Sequence, residues 1–76
     1  MAFWDDEQLV GEVPKGRDVV QVRLVSRNGK RYVDVRAYWE DGAGERKPGK
    51  GIALPVEIAT EVTDLVTAAL KLAEDS

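Results

Sequence analysis

"VVQVRLVSRNGKRYVDVRAYW", residues 19–39, decides the fold. Two runs of β-branched and aromatic residues alternate with polar ones, and Asn28-Gly29 joins them. Alternation at period two is the pattern of a strand whose faces meet different surroundings. Asn-Gly is the strongest two-residue hairpin signal, because a type I′ turn needs positive φ at both centres. Asp18–Arg27 and Lys30–Trp39 are therefore predicted to form a hairpin.

Counting outward from the turn sets the register. One face pairs Leu24 with Val33, Val22 with Val35 and Val20 with Ala37, and is expected to meet the core. The other pairs Arg27 with Lys30, Val25 with Tyr32, Arg23 with Asp34, Gln21 with Arg36 and Val19 with Tyr38. This second face is expected to stay open, with Arg23 and Asp34 as a cross-strand ion pair. Trp39 falls on the valine side by parity, at a strand end where a bulge could turn it.

Upstream, residues 1–16 form an acidic N-terminal segment in which Gln8–Val13 is a candidate first strand, ended by Pro14 and Gly16. Downstream, Glu40–Gly51 reads as a glycine-broken basic loop and Gly51–Leu54 as a short strand. Pro55 suits the start of a helix, where a missing N–H is tolerated. From Val56 to about Ala73, the residues Ile58, Ala59, Val62, Leu65, Val66, Ala69, Leu70 and Ala73 recur at three and four, giving one wide apolar stripe. That helix is expected to cover the apolar face of the sheet. Strands followed by one C-terminal helix make an α+β domain, assigned to residues 17–76.

A chain of 76 residues buries a marginal core, which a second copy would enlarge. Cysteine and histidine are both absent, so disulfides, thiolate metal sites and the usual neutral-pH acid/base group are unavailable to it. The only serines are Ser26 and Ser76, and the threonines fall in the helix. No catalytic residue, metal ligand or cofactor is expected; Asp41 and Glu45 read as solvated turn carboxylates. No apolar run is long enough to span a membrane, and MAFWDDEQ lacks a basic region followed by a hydrophobic one. A soluble protein is expected.

Net charge is −3, but residues 17–51 carry +4 and the rest −7. A basic module between acidic ends hints at a polyanion partner. GAGERKPGKG, residues 42–51, fits neither the dinucleotide fingerprint nor a P-loop, since Gly49-Lys50 is followed by Gly51 and not by Ser or Thr. It reads as an arm whose Arg46, Lys47 and Lys50 can meet phosphates without reading sequence. Single strands are bound by cations beside aromatic platforms, each stacked base contributing about 1–3 kcal/mol. Arg23, Arg36, Tyr32 and Tyr38 on one face fit that scheme, although such residues also line ordinary wet sheet faces.

The stretch "VQVRLVSRNGKRYVDVRAYWEDGAGERKPGKGIAL", residues 20–54, with a helix after it, resembles the C-terminal domain of the transcriptional positive coactivator PC4 (p15) family and its short prokaryotic relatives. VDVRAYW, an acidic glycine turn, then KPGKGIAL is the most specific part. The resemblance implies a twisted antiparallel sheet of four strands and one helix. It also implies a homodimer whose basic channel takes single-stranded or melted DNA. It assigns Arg36 to phosphate contact and Trp39 to stacking, matches Tyr38, Lys47 and Lys50, and puts Arg23, Arg27 and Lys30 in the basic hairpin. Transcription machinery is a further partner it implies. Its compartment would be cytoplasmic and nucleoid-associated in a prokaryote, or nuclear in a eukaryote. The family's hairpin aromatic has no counterpart in LVSRNGK, and an arginine plane is the available substitute. An RNA-binding module on the same surface, and a protein-interaction dimer with weak DNA binding, are the alternatives.

Overall fold

The computed structural model describes residues 3–76, and Met1 and Ala2 of the N-terminal segment lie outside it. Strands β1 (Asp6–Lys15), β2 (Asp18–Arg27), β3 (Lys30–Glu40) and β4 (Arg46–Pro55) precede helix α1 (Val56–Glu74). The strands pair antiparallel in sequence order. The central hairpin has the predicted register throughout, from Arg27 opposite Lys30 to Val19 opposite Tyr38. Its turn has φ of 53° at Asn28 and 78° at Gly29, as a type I′ turn requires.

Both flanking strands are longer than the sequence suggests. β1 runs from Asp6 because its pairing continues on either side of a bulge at Val10, between Leu9 and Gly11. β4 begins at Arg46, so KPGKG is strand and the connecting loop is short. Asp41 organises that loop: its Oδ1 accepts from the N–H groups of Ala43 and Glu45 at 2.9 and 3.1 Å. Such side-chain turns are a usual role of aspartate. β4 also bulges, setting Gly49 and Lys50 against Ala37 alone. Pro48 is tolerated because β4 is an edge strand.

Glycine at 51 is required by strand contact. A Cβ there would lie 2.5 Å from the Val35 carbonyl oxygen and 2.7 Å from the Arg36 Cα. The two bulges increase the bend of their strands. The curl is large enough for Arg46 on one edge strand to reach Glu12 on the other, Nη1 to Oε1 at 3.2 Å. In a flat sheet these strands would stand about 14 Å apart. The arginine–tyrosine face is therefore concave.

This curl overturns one expectation. Among the described residues the buried side chains are Val25, Gln21 and Asp34, at 1%, 5% and 2% exposure, and all belong to the face expected to be open. The apolar face bears Val20, Val22, Leu24, Val33, Val35, Ile52 and Leu54 and is only half covered. The expected lid does not close: α1 contacts β3 and β4 alone and contributes no buried residue. Leu65 is 70% exposed, and Val66 and Leu70 are also exposed. The molecule is correspondingly flat, with extents of 43 × 34 × 17 Å.

Candidate nucleic-acid interface

Strand alternation lifts Arg23, Arg36 and Tyr38 onto the concave face, and curling brings both edge strands to them. Asp34 stands opposite Arg23, yet the predicted cross-strand ion pair does not form. Arg36 takes Asp34 instead, with Nη2 2.9 Å from Oδ1 and Nε 3.2 Å from Oδ2. Residues two apart on a strand share a face, and this fork matches a carboxylate. Arg36 Nη1 also donates to the Gly49 carbonyl at 3.1 Å, tying the bulge to β3. Hydrogen bonding to Asp34 holds the Arg36 guanidinium above its ordinary pKa, with the carboxylate charge adding to it and burial opposing.

Arg23 turns the other way. It donates to Gln21 Oε1 from Nε and Nη2, reaches Glu7 at 3.4 Å, and lies 5.1 Å from the Tyr38 ring centroid. Gln21 in turn donates to Glu12 at 2.8 Å. That bond, with Arg46 nearby, holds the Glu12 carboxyl below the usual carboxylate range, against opposing desolvation. The concave face thus carries alternating cations and carboxylates whose hydrogen bonds are satisfied.

The other expected contacts divide. Arg27 lies over the Phe3 ring at 3.9 Å from its centroid. Lys30 is exposed at the hairpin tip and Lys50 at the β4 bulge. Among the described residues, no ion pair involves Arg27, Lys30 or Lys50. Lys47 is held by Glu45 at 3.3 Å and Asp41 at 3.9 Å, so this lysine belongs to an ordered turn and not to a free arm. Trp39 keeps the valine-side parity, because the extra residue is on β4 and the alternation of β3 is unbroken. It is 45% exposed, and its Cδ1 lies beside Gly49.

That groove, about 490 Å³, lies on the concave face between Phe3, Trp4, Arg36, Tyr38 and Pro48. Phe3, Trp4, Glu7 and Glu12 went unassigned in the sequence. Glu7 and Glu12 have opposite parity there, and only the bulge at Val10 brings them to one face. The Phe3-Trp4 doublet was the available signal, but nothing local says where it folds.

The family model for Transcriptional Coactivator p15 (PC4) matches residues 15–65. The crystal structure of BPSL1147, a PC4 homolog from Burkholderia pseudomallei K96243, is similar at a TM-score of 0.75 and 26% identity. The alignment covers 90% of this chain and 95% of that one. With four antiparallel strands, a C-terminal helix and this match across β2 to β4 and half the helix, the chain belongs to the transcriptional coactivator p15 (PC4) family, a nucleic-acid-binding and non-enzymatic one.

Proposed function

We propose that the protein is a homodimeric, sequence-tolerant single-stranded-DNA-binding module acting in transcription, in the cytoplasm and nucleoid of a prokaryotic cell. The observation that carries this reading is the concave groove, where Arg36 and Tyr38 stand beside aromatic rings and below a hairpin tip bearing Arg27 and Lys30. Cations beside stacking surfaces suit an unpaired strand, whose bases are free to splay. Arg27, Lys30 and Lys50 supply the first phosphate contacts. Arg23 and Arg46 supply more when phosphate displaces their carboxylate partners, and Arg36, held by the buried Asp34, offers the phosphate its open side. Trp39, on the outer side of β3, stacks a base beyond the groove.

Burial supports the dimer. Val25 is the one apolar side chain fully buried among the described residues, and that is too little core for a stable domain. The half-covered valine face and the exposed helix residues Ile58, Leu65, Val66 and Leu70 form an apolar surface that a second copy would cover. A two-fold partner buries the same surface on both chains.

Fluorescence anisotropy of labelled single strands and duplex, across a salt series, tests the reading. Preferential single-strand binding that weakens with salt supports it. Equal, negligible binding to both at low salt would overturn it. A second reading is a protein-recruiting dimer with weak DNA binding. Its support is that Arg23, Arg36, Arg46 and Lys47 are already neutralised by carboxylates. Oligo-dT against oligo-U competition separates DNA from RNA.

A further inference from the structure

Phe3 and Trp4 lie outside the segment matched by the family and outside every expected contact. They are nevertheless firmly positioned. The Asp5 N–H donates to the Ser26 carbonyl at 2.8 Å, and Asp5 Oδ2 accepts from the Asn28 N–H at 2.8 Å. These bonds fasten the N-terminal segment to the hairpin and aim the two preceding residues at the concave face. Trp4 packs on Tyr32 with centroids 5.4 Å apart, and Phe3 meets Trp4 edge-on at 4.8 Å. Arg27 lies on the Phe3 ring. Phe3 remains 62% exposed despite these contacts.

We propose that Phe3 and Trp4 form a base-stacking platform at the hairpin end of the groove, taking an unpaired nucleobase of a single strand. The inference rests on the single-strand reading above and deepens it by naming which of the groove's rings take a base. An exposed ring held by its neighbours has little freedom left to lose on binding, so stacking on it is favoured. The hairpin LVSRNGK offers no aromatic of its own, and the folded-back segment puts two beside it. The groove they share with Arg36, Tyr38 and Pro48, about 490 Å³, is within the roughly 300–1,000 Å³ typical of small-ligand sites. Arg27 and Lys30 stand at the same end, where the phosphates flanking a stacked base would pass. Because any base offers a π-face, the platform adds affinity without sequence preference.

Anisotropy with labelled oligo-dT tests this on the whole chain. Phe3→Ser combined with Trp4→Ser should weaken binding about five-fold or more, the loss of one stacked base. Asp5→Ala, which keeps both rings and removes one anchor, should weaken it by less. Unchanged affinity in the double variant overturns the inference, and so does tighter binding, which would make the segment a lid. In a Trp39→Phe background, Trp4 is the sole tryptophan; saturating oligo-dT should quench its emission, and an unaltered spectrum overturns the platform. That readout decides the matter if the double variant fails to fold by circular dichroism. If the unaltered protein binds no single strand, the functional reading falls too. If it binds and the double variant matches it, this inference alone falls.

Discussion

Asp34 faces Arg23 across the strand pair but is held by Arg36, two residues along its own strand, through hydrogen bonds of 2.9 and 3.2 Å. The carboxylate is almost completely buried, while Arg36 is partly open to the groove. Asp34 therefore orients a cation that the ligand is expected to share. Asp34→Asn should lower stability by about 1–3 kcal/mol in urea unfolding, the scale of a lost charge-assisted hydrogen bond. The freed guanidinium should tighten single-strand binding at low salt.

Arg36→Lys keeps the charge and loses the fork. A lysine cannot hold Asp34 and the Gly49 carbonyl together as the guanidinium does. Single-strand affinity should fall in Arg36→Lys nearly as far as in Arg36→Ala, as measured by anisotropy. Full retention in the lysine variant would reduce Arg36 to a point charge.

Glu12 is the internal counter-ion of Arg46 and the acceptor for Gln21. Glu12→Gln should free Arg46 for phosphate, tighten binding and steepen the salt dependence by about 0.7 in the log–log slope. Its carboxyl is held below the ordinary value, chiefly by the Gln21 hydrogen bond. Its contribution to stability is then complete at neutral pH and fades as pH falls through the lowered folded value. Thermal melts from neutral into acid should show less acid loss in Glu12→Gln than in the unaltered chain.

Two glycines of KPGKG differ in how much space they have. Gly51→Ala places a methyl against the backbone of Val35 and Arg36 and should cost about 1–3 kcal/mol, as overpacking does. At Gly49 the nearest atoms are the Ala37 carbonyl oxygen at 3.2 Å and Trp39 Cδ1 at 3.4 Å, so Gly49→Ala should cost less. Thermal unfolding of the pair ranks them.

Val66→Glu with Leu70→Glu alters residues that a lone chain leaves exposed. In a monomer, such surface changes should stay within about 0.5 kcal/mol each. In a dimer joined through α1 they should dissociate the chains. Sedimentation velocity before and after substitution distinguishes the two.

Much of this architecture is determined locally. Alternation, Asn28-Gly29 and the three-four stripe depend on neighbours in sequence, so the hairpin register, the strand-then-helix order and the helix span follow from the sequence alone. So did the sharing of one face by Arg23, Arg36 and Tyr38. What only the tertiary structure decided depends on curvature. Bulges at Val10 and Gly49–Lys50 shift parity and bend the edges, which places Glu7 and Glu12 among the arginines and takes Asp34 from Arg23. The curl turns the face that looked open into the buried one, while α1 covers the other face only in part. A bulge adds one residue with no period of its own. A folded-back segment such as Phe3-Trp4 is placed by hydrogen bonds to residues more than twenty positions away. No local pattern encodes either.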